Sequence, residues 1–420
     1  MNTLQSLTSM IFTWTTLIEL ILILSPCLIY PYWLAFLILL CYLSFLVRKT
    51  YQYLQLIKLS NQMAISNEDI PKEMKAAFYS SSWKKIVDFG KCMVPPKLKG
   101  DELLIKVHSA ALNPIDFKFI TTRLPFHRWI HFPNLGVGND FSGEVVKVGE
   151  LVKKYKSGDK VFGFASIGTL QEYTITKERW IHIIPEGINF QQAASLPMAG
   201  IESYQALTYF SNGENTNLSG KNILVIGATG GCGYMAIQIA KFLKADKVYG
   251  VCSKEKVDII KNLNVCEDVL AYNAVDFVYT LDRVLLSEVG KPKLDLILDT
   301  VSSPEAGDVG SQYMKYLKSE GKYVSLNSKS LLTFFKGLLV FWNSKFNFEK
   351  KGTHCHMLNR ADEKAFDVLC DMVSQGKINF IINNIEFDYQ AVDKAFKMLI
   401  SRKTTGKIVC NIINDENRVN

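Results

Sequence analysis

No two of the chain's nine cysteines stand in a Cys-x-x-Cys pair. They are scattered from Cys27 to Cys410, which argues against a disulfide framework or a structural zinc site and for a reducing compartment. The six histidines have no ligand spacing. His354 and His356 would share one face of a strand, but two histidines do not make a zinc site. There is no run of five like charges, and Lys and Arg do not alternate with aromatics. The formal charge of +8 therefore carries no sign of a nucleic-acid partner. Internal repeats and low-complexity segments are also missing.

Charge is what the N-terminal region lacks most. From Met10 to Val47 there is one acidic residue, Glu19, and no basic one. A secretory signal is disfavoured, because no basic segment precedes the apolar run and no small-residue cleavage site follows it. An all-round apolar helix of this length points to a membrane. Continuous helix would measure about 57 Å, nearly twice a bilayer core. Pro26 and Pro31 break the run, leaving either a hairpin dipping into one leaflet or a single span such as Leu20 to Cys41. A hairpin would also suit the monolayer of a lipid droplet, so endoplasmic reticulum or lipid droplet is expected. Arg48, Lys49 and Lys58 follow at once and place the rest of the chain in the cytosol. Residues 1–49 thus read as an anchor and 50–72 as a polar linker.

The best-patterned stretch runs from Lys221 to Leu243. Ile223 to Ile226 form a short β-branched run, as in a strand buried on both faces. Gly227, Gly230, Gly231 and Gly233 crowd the turn after it, and a helical pattern carrying Met235, Ile239 and Phe242 comes next. Strand, glycine turn and helix in this order make a dinucleotide-binding fingerprint, with Gly227, Ala228, Thr229, Gly230, Gly231, Cys232 and Gly233 expected against the pyrophosphate. A second strand, Val248 to Cys252, ends where an NAD site wants a carboxylate for the ribose hydroxyls. Ser253, Lys254 and Lys256 stand there instead, with Glu255 among them. A 2′-phosphate suits this group, so NADPH is the expected cofactor.

Around this turn the sequence resembles the medium-chain dehydrogenases/reductases, in the zinc-independent branch that includes quinone oxidoreductases and enone reductases. MKAAFY, ALNPIDFK, FPNLGVGNDFSGEVVKVG, GDKVFGF, GTLQEY, AASLPMAGIESYQAL, ILVIGATGGCG, LDLILDTV and the closing GKINFIINNIEFDYQAVDKAFKMLISRKTTGKIVC follow in the family's order, over about 340 residues from Met74. The resemblance implies an α/β fold, with a GroES-like catalytic domain over 73–200 and 328–412 around a Rossmann domain over 201–327. The apolar helical membrane segment would precede both, and a polar tail would follow from 413. It also implies a homodimer.

Two replacements bear on mechanism. Asn113 and Asn139 stand where the family's zinc alcohol dehydrogenases have a cysteine and a histidine, and an amide is a poor zinc ligand beside thiolate or imidazole. No metal is expected. Asn113 and Asp116 are the candidates to orient substrate or cofactor, although Asn-Pro alone could set a turn there. Asp140 is expected to hold the domain together as much as to serve chemistry. By resemblance, Asn327 would meet the nicotinamide and Tyr272 the adenosine ribose, with Lys407 a weaker phosphate candidate. Tyr173 and Tyr204 are possible proton donors, with core packing the simpler role for both. Glu202, Ser302 and Ala271 depart from the family pattern.

The combined expectation is a membrane-anchored, NADPH-dependent reductase of quinones or α,β-unsaturated carbonyls, acting on a lipophilic small-molecule acceptor. Two alternatives stay open. One is a membrane-associated scaffold or trafficking protein with little turnover, and the other is an enoyl-thioester reductase. The segment Leu331 to Trp342, very apolar with one lysine, is expected as a packed helix rather than a second membrane contact.

Overall fold

A computed structural model describes residues 70–80, 86–95, 97–121, 136–165, 168–208, 216–302, 308–326, 354–355 and 360–413. The anchor and linker expected over 1–72 lie almost wholly outside these residues, as do Asn327 and the segment 331–342. Among the described residues, no helix is long and apolar enough to cross a membrane. All that follows concerns the compact unit from Ser66 to Asn420.

The chain enters through an antiparallel pair, β1 (Glu73–Tyr79) and β2 (Val87–Met93). The first large sheet is built from β3 (Glu102–Leu112), β4 (Asp140–Val148), β5 (Lys160–Phe164), β6 (Tyr173–Lys177) and β7 (Ile181–Ile183). The last strands of the chain, β14 (Ile382–Glu386) and β15 (Lys407–Asn411), join its edge in the order β14-β15-β3-β4-β5-β7, with β6 also on β3. The C-terminal stretch therefore returns to the first sheet, as the resemblance implies. Between β3 and β4 lies α1 (Pro114–Thr121). Two further helices, α2 (Phe190–Ala194) and α3 (Pro197–Thr208), lead into the second sheet.

That sheet is parallel throughout. It contains β8 (Asn222–Ile226), β9 (Lys247–Cys252), β10 (Asp268–Ala271), β11 (Leu294–Asp299), β12 (Leu317–Ser325) and β13 (His354–Cys355), in the order β10-β9-β8-β11-β12-β13. The crossovers are α4 (Gly231–Phe242), α5 (Val257–Lys261), α6 (Phe277–Leu285) and a short 3₁₀ helix. This is the Rossmann order, and its switch point lies between β8 and β11, where a dinucleotide binds. Because β13 pairs with β12, the return to the first sheet begins only after Cys355, later than residue 328.

β8 shows why the strand pattern was readable. Ile223 and Val225 face a core shared with Met235, Ile237 and Ile239 of α4, while Leu224 and Ile226 face the opposite core, with Tyr249, Tyr313 and Tyr323. Both faces are dry, so the strand reads as continuous apolar residues instead of alternation. The first of these cores also holds Phe162 and Phe164 of β5, together with Phe366 and Leu369 of α7 (Glu363–Ser374). One continuous apolar body thus joins the two sheets. The last helix, α8 (Tyr389–Ile400), connects β14 to β15.

Candidate active site

The glycine turn takes the path expected of it. Gly227 has φ +83°, and a Cβ there would lie 2.5 Å from Thr300 Oγ1 on the loop after β11. Gly233 has an ordinary backbone, but its Cβ would strike the Gly227 carbonyl at 2.2 Å. These two glycines let the turn close on itself. Gly230 differs: a Cβ there would meet only the Gly227 carbonyl, at 3.5 Å. It caps α4 without any side-chain hydrogen bond to the helix N-terminus. A twelve-residue helix thus presents an open, uncapped N-terminal turn at the switch point, which fits a pyrophosphate.

At the end of β9 the three phosphate candidates differ. Lys254 is exposed, and its backbone N–H donates to Asn273 Oδ1 at 2.7 Å. The Ser253 hydroxyl bonds the Glu255 carboxylate, which also accepts from Asn273 Nδ2 at 3.0 Å. The Lys256 ammonium turns to the carbonyls of Lys403, at 2.8 Å, and Thr404, at 3.5 Å. Tyr272 is exposed beside them, its backbone N–H donating to the Cys252 carbonyl at 3.0 Å. Lys254 is therefore the cation left facing solvent at this edge.

Asn113 and Asp116 do not sit on an open loop. Pro114 opens α1 directly after β3, a position where its missing N–H costs nothing. The Asp116 carboxylate reaches back to accept the Asn113 backbone N–H at 2.7 Å, as a third-position acid does in a capping box. Its other oxygen accepts from Asn139 Nδ2 at 2.6 Å. Asn113 Nδ2 donates to Asp140 Oδ2 at 2.9 Å and to the Ala111 carbonyl at 3.4 Å, so both of its amide hydrogens are engaged. Lys407 Nζ donates to Asn113 Oδ1 at 2.5 Å and lies 3.2 Å from Asp140 Oδ2. Arg360 Nη2 donates to Asn139 Oδ1 at 2.7 Å, with its guanidinium 5.6 Å from the ring centres of both Phe164 and Trp180.

Asp116 and Asp140 have no exposed surface at all. Burial pushes the Asp116 carboxyl up to about 7, against the hydrogen bonds from Asn139 and Asn113 that favour its charge. Burial also raises Asp140, opposed first by Lys407. The sequence offers Lys407 only as a weaker phosphate candidate. The structure instead places its ammonium inside the protein. Nothing in the local sequence marks Arg360, half-buried in the fold, as part of this cluster.

The other candidates are also placed. Tyr173 and Tyr204 are buried in apolar clusters. Glu202, on α3, is half-buried and accepts from the Cys232 thiol at 3.7 Å. Burial, with Glu202 second, holds that thiol well above its usual range. Ser302 is fully buried, and its hydroxyl accepts the backbone N–H groups of Val309 and Gly310 at 2.9 and 3.1 Å. This departure from the family pattern therefore has a local structural use.

Residues 99–186 match the alcohol dehydrogenase GroES-like domain, and residues 266–410 match the family described as zinc-binding dehydrogenase. The chain is 31% identical over 363 residues to the chloroplastic NADPH-dependent alkenal/one oxidoreductase of Arabidopsis thaliana, covering 82% of this chain and 81% of that protein. It is 31% identical over 358 residues to 2-methylene-furan-3-one reductase of Solanum lycopersicum, covering 82% and 80%. The structure of the quinone oxidoreductase from Coxiella burnetii superposes with a TM-score of 0.65 at 28% identity, over 81% of this chain and 99% of that one. The chain belongs to the medium-chain dehydrogenase/reductase family of oxidoreductases. The zinc in the second description does not fit this chain's residues. Asn113 and Asn139 offer amides that are already bonded to cations, and among the described residues no group of three or more His, Cys, Asp or Glu could hold a metal.

Proposed function

We propose that the protein is an NADPH-dependent, zinc-independent reductase of quinones or α,β-unsaturated carbonyls. The observation that carries this reading is the open Gly230 cradle at the uncapped start of α4, set at the sheet's switch point. NADPH, when bound, supplies a hydride for the conjugated acceptor. The chain's own part is to bind and orient. The first-turn amides of α4 would receive the pyrophosphate, and Lys254 would attract the 2′-phosphate. A conjugated acceptor spreads its developing charge, so hydrogen bonds can meet it without a Lewis acid. The names of the relatives, alkenal/one oxidoreductase and furanone reductase, support this class of acceptor.

The proposal extends to a membrane anchor over residues 1–49 that keeps the cytosolic catalytic unit close to lipophilic acceptors, at endoplasmic reticulum or lipid droplet, and to a homodimer. The charge-free run from Met10 to Val47, apart from Glu19, supports the anchor.

The test is fluorescence titration of the full-length chain with NADPH and with NADH, followed by addition of a quinone or an enone. Tighter NADPH binding and acceptor-dependent loss of NADPH absorbance are expected. Binding without turnover across a broad acceptor panel would move the protein to the scaffold reading. Absence of binding would end the cofactor assignment.

A further inference from the structure

The two asparagines at the family's metal-ligand positions have the same surroundings. Asn113 stands between a cation and a carboxylate: its oxygen accepts from Lys407 Nζ at 2.5 Å, and its nitrogen donates to Asp140 Oδ2 at 2.9 Å. Asn139 does the same, accepting from Arg360 Nη2 at 2.7 Å and donating to Asp116 Oδ1 at 2.6 Å. An amide can do both at once, since it carries an acceptor oxygen and two donor hydrogens. A thiolate at 113 would have no donor, and no acceptor would remain on a protonated imidazole at 139. Where the resemblance puts zinc ligands, these two asparagines instead join two cation–amide–carboxylate relays.

Charge balance supports this. Two buried carboxylates face two largely buried cations, with Lys407 only 7% exposed. Without such partners, burial of these charges would be prohibitive. All the hydrogen bonds described for the Asp140 carboxylate fall on one oxygen, which also accepts the Met198 backbone N–H at 3.3 Å. Its other oxygen has no partner among the described residues, which makes the nearby Lys407 charge more important still.

Lys407 also touches the cofactor turn. A Cβ on Gly231 would lie 2.9 Å from Lys407 Cδ, so the lysine stem runs directly under the first residue of α4. The preceding residue, Gly406, donates its backbone N–H to the Thr229 carbonyl at 2.9 Å.

We propose that Lys407 is a positioning residue: its stem supports the nucleotide turn while its ammonium, through Asn113 and Asp140, fixes the start of α1. Together with Arg360 it provides, from within the fold, positive charge where the zinc enzymes of the family use a metal. The part that concerns nucleotide rests on the reductase reading above. The relay itself does not.

The experiment is a double-mutant cycle on the full-length chain with Lys407→Met, Asp140→Asn and the pair combined. It is read by thermal unfolding, NADPH affinity, and kcat against KM. Each single variant should lower Tm by about 5 °C or more, because each strands a buried charge. The pair should recover part of that loss. Even with Tm recovered, the pair should bind NADPH about tenfold more weakly or turn over about tenfold more slowly, since positioning is lost while neutrality is restored. Strictly additive Tm losses would overturn the relay. A double variant with wild-type NADPH affinity and turnover would overturn the positioning role and leave Lys407 a balancing charge. Failure of the wild-type chain to bind NADPH would instead sink the reductase reading, while the Tm cycle still decides the relay.

Discussion

The backbone N–H of Gly406 donates to the carbonyl of Thr229 at 2.9 Å, joining the entry of β15 to the centre of the glycine turn. A parallel bridge between Gly230 and Gly406 completes the contact. Gly406 holds φ +65°, and a Cβ there would lie 2.1 Å from the Ile381 carbonyl. The next nearest atoms, Ile381 Cβ and Cγ2 at 2.7 and 2.8 Å, belong to the stiff β-branched base of the same residue. Gly406→Ala is therefore expected to destabilise the fold by about 2 kcal/mol or more, from left-handed strain plus overpacking. Urea unfolding at equilibrium measures this, and an unchanged midpoint would refute it.

Gly230 and Gly233 separate binding from folding. A Cβ on Gly230 meets only one atom, at 3.5 Å, whereas one on Gly233 meets the Gly227 carbonyl at 2.2 Å. Gly230→Val should keep a near wild-type Tm and lose most of its NADPH affinity, because the new side chain fills the space a pyrophosphate needs. Gly233→Ala should lose Tm first. Thermal melts and fluorescence titrations on both variants distinguish the two effects, and equal Tm losses would contradict the assignment of Gly230 to the ligand side.

The legible part of this protein is local. The β8–turn–α4 unit could be read because its apolar run, its glycines and its helical spacing all fall within Lys221–Leu243, and strand and helix lie where that pattern puts them. The resemblance added the order of the two sheets. Lys407 was not legible as a buried residue. Its partner Asn113 lies 294 positions away, and lysine as a type is rarely inside. For Asn113, a candidate site residue, the sequence leaves the local backbone open, since Asn-Pro suits both a turn and a helix start. What decides between them is Asp116 reaching back to its N–H. Ser302 departs from the family pattern, and its use is not legible because its two amide partners lie seven and eight residues on.

Stability should also depend on pH through Asp116. Its carboxyl titrates near 7 in the fold, against about 3.9 in an unfolded chain. Between those values the folded state holds the proton and the unfolded state does not, so unfolding releases it. Asp116 therefore contributes stability in full below about pH 4 and loses it progressively as pH rises to about 7. Asp140, also raised by burial, adds a slope of the same sign. Asp116→Asn should flatten this part of the curve. The check is the Tm difference between wild type and variant from pH 4 to pH 8, and a constant difference would show that Asp116 does not titrate in that range.

Choice of nucleotide should rest on Lys254. Ser253 is bound to Glu255, and Lys256 is bound to the carbonyls of Lys403 and Thr404, which leaves Lys254 exposed at the end of β9. Lys254→Glu replaces attraction for a 2′-phosphate with repulsion and gives the ribose hydroxyls of NADH an acceptor. NADPH affinity should fall about tenfold or more, a change of about 1.4 kcal/mol, while NADH affinity stays level or rises. The backbone N–H of Lys254, which donates to Asn273 Oδ1, is untouched by the change, so Tm should not move. Parallel titrations with the two cofactors at fixed ionic strength test this. Equal loss for NADPH and NADH would place the 2′-phosphate elsewhere and make Lys254 only a general attractant for anions.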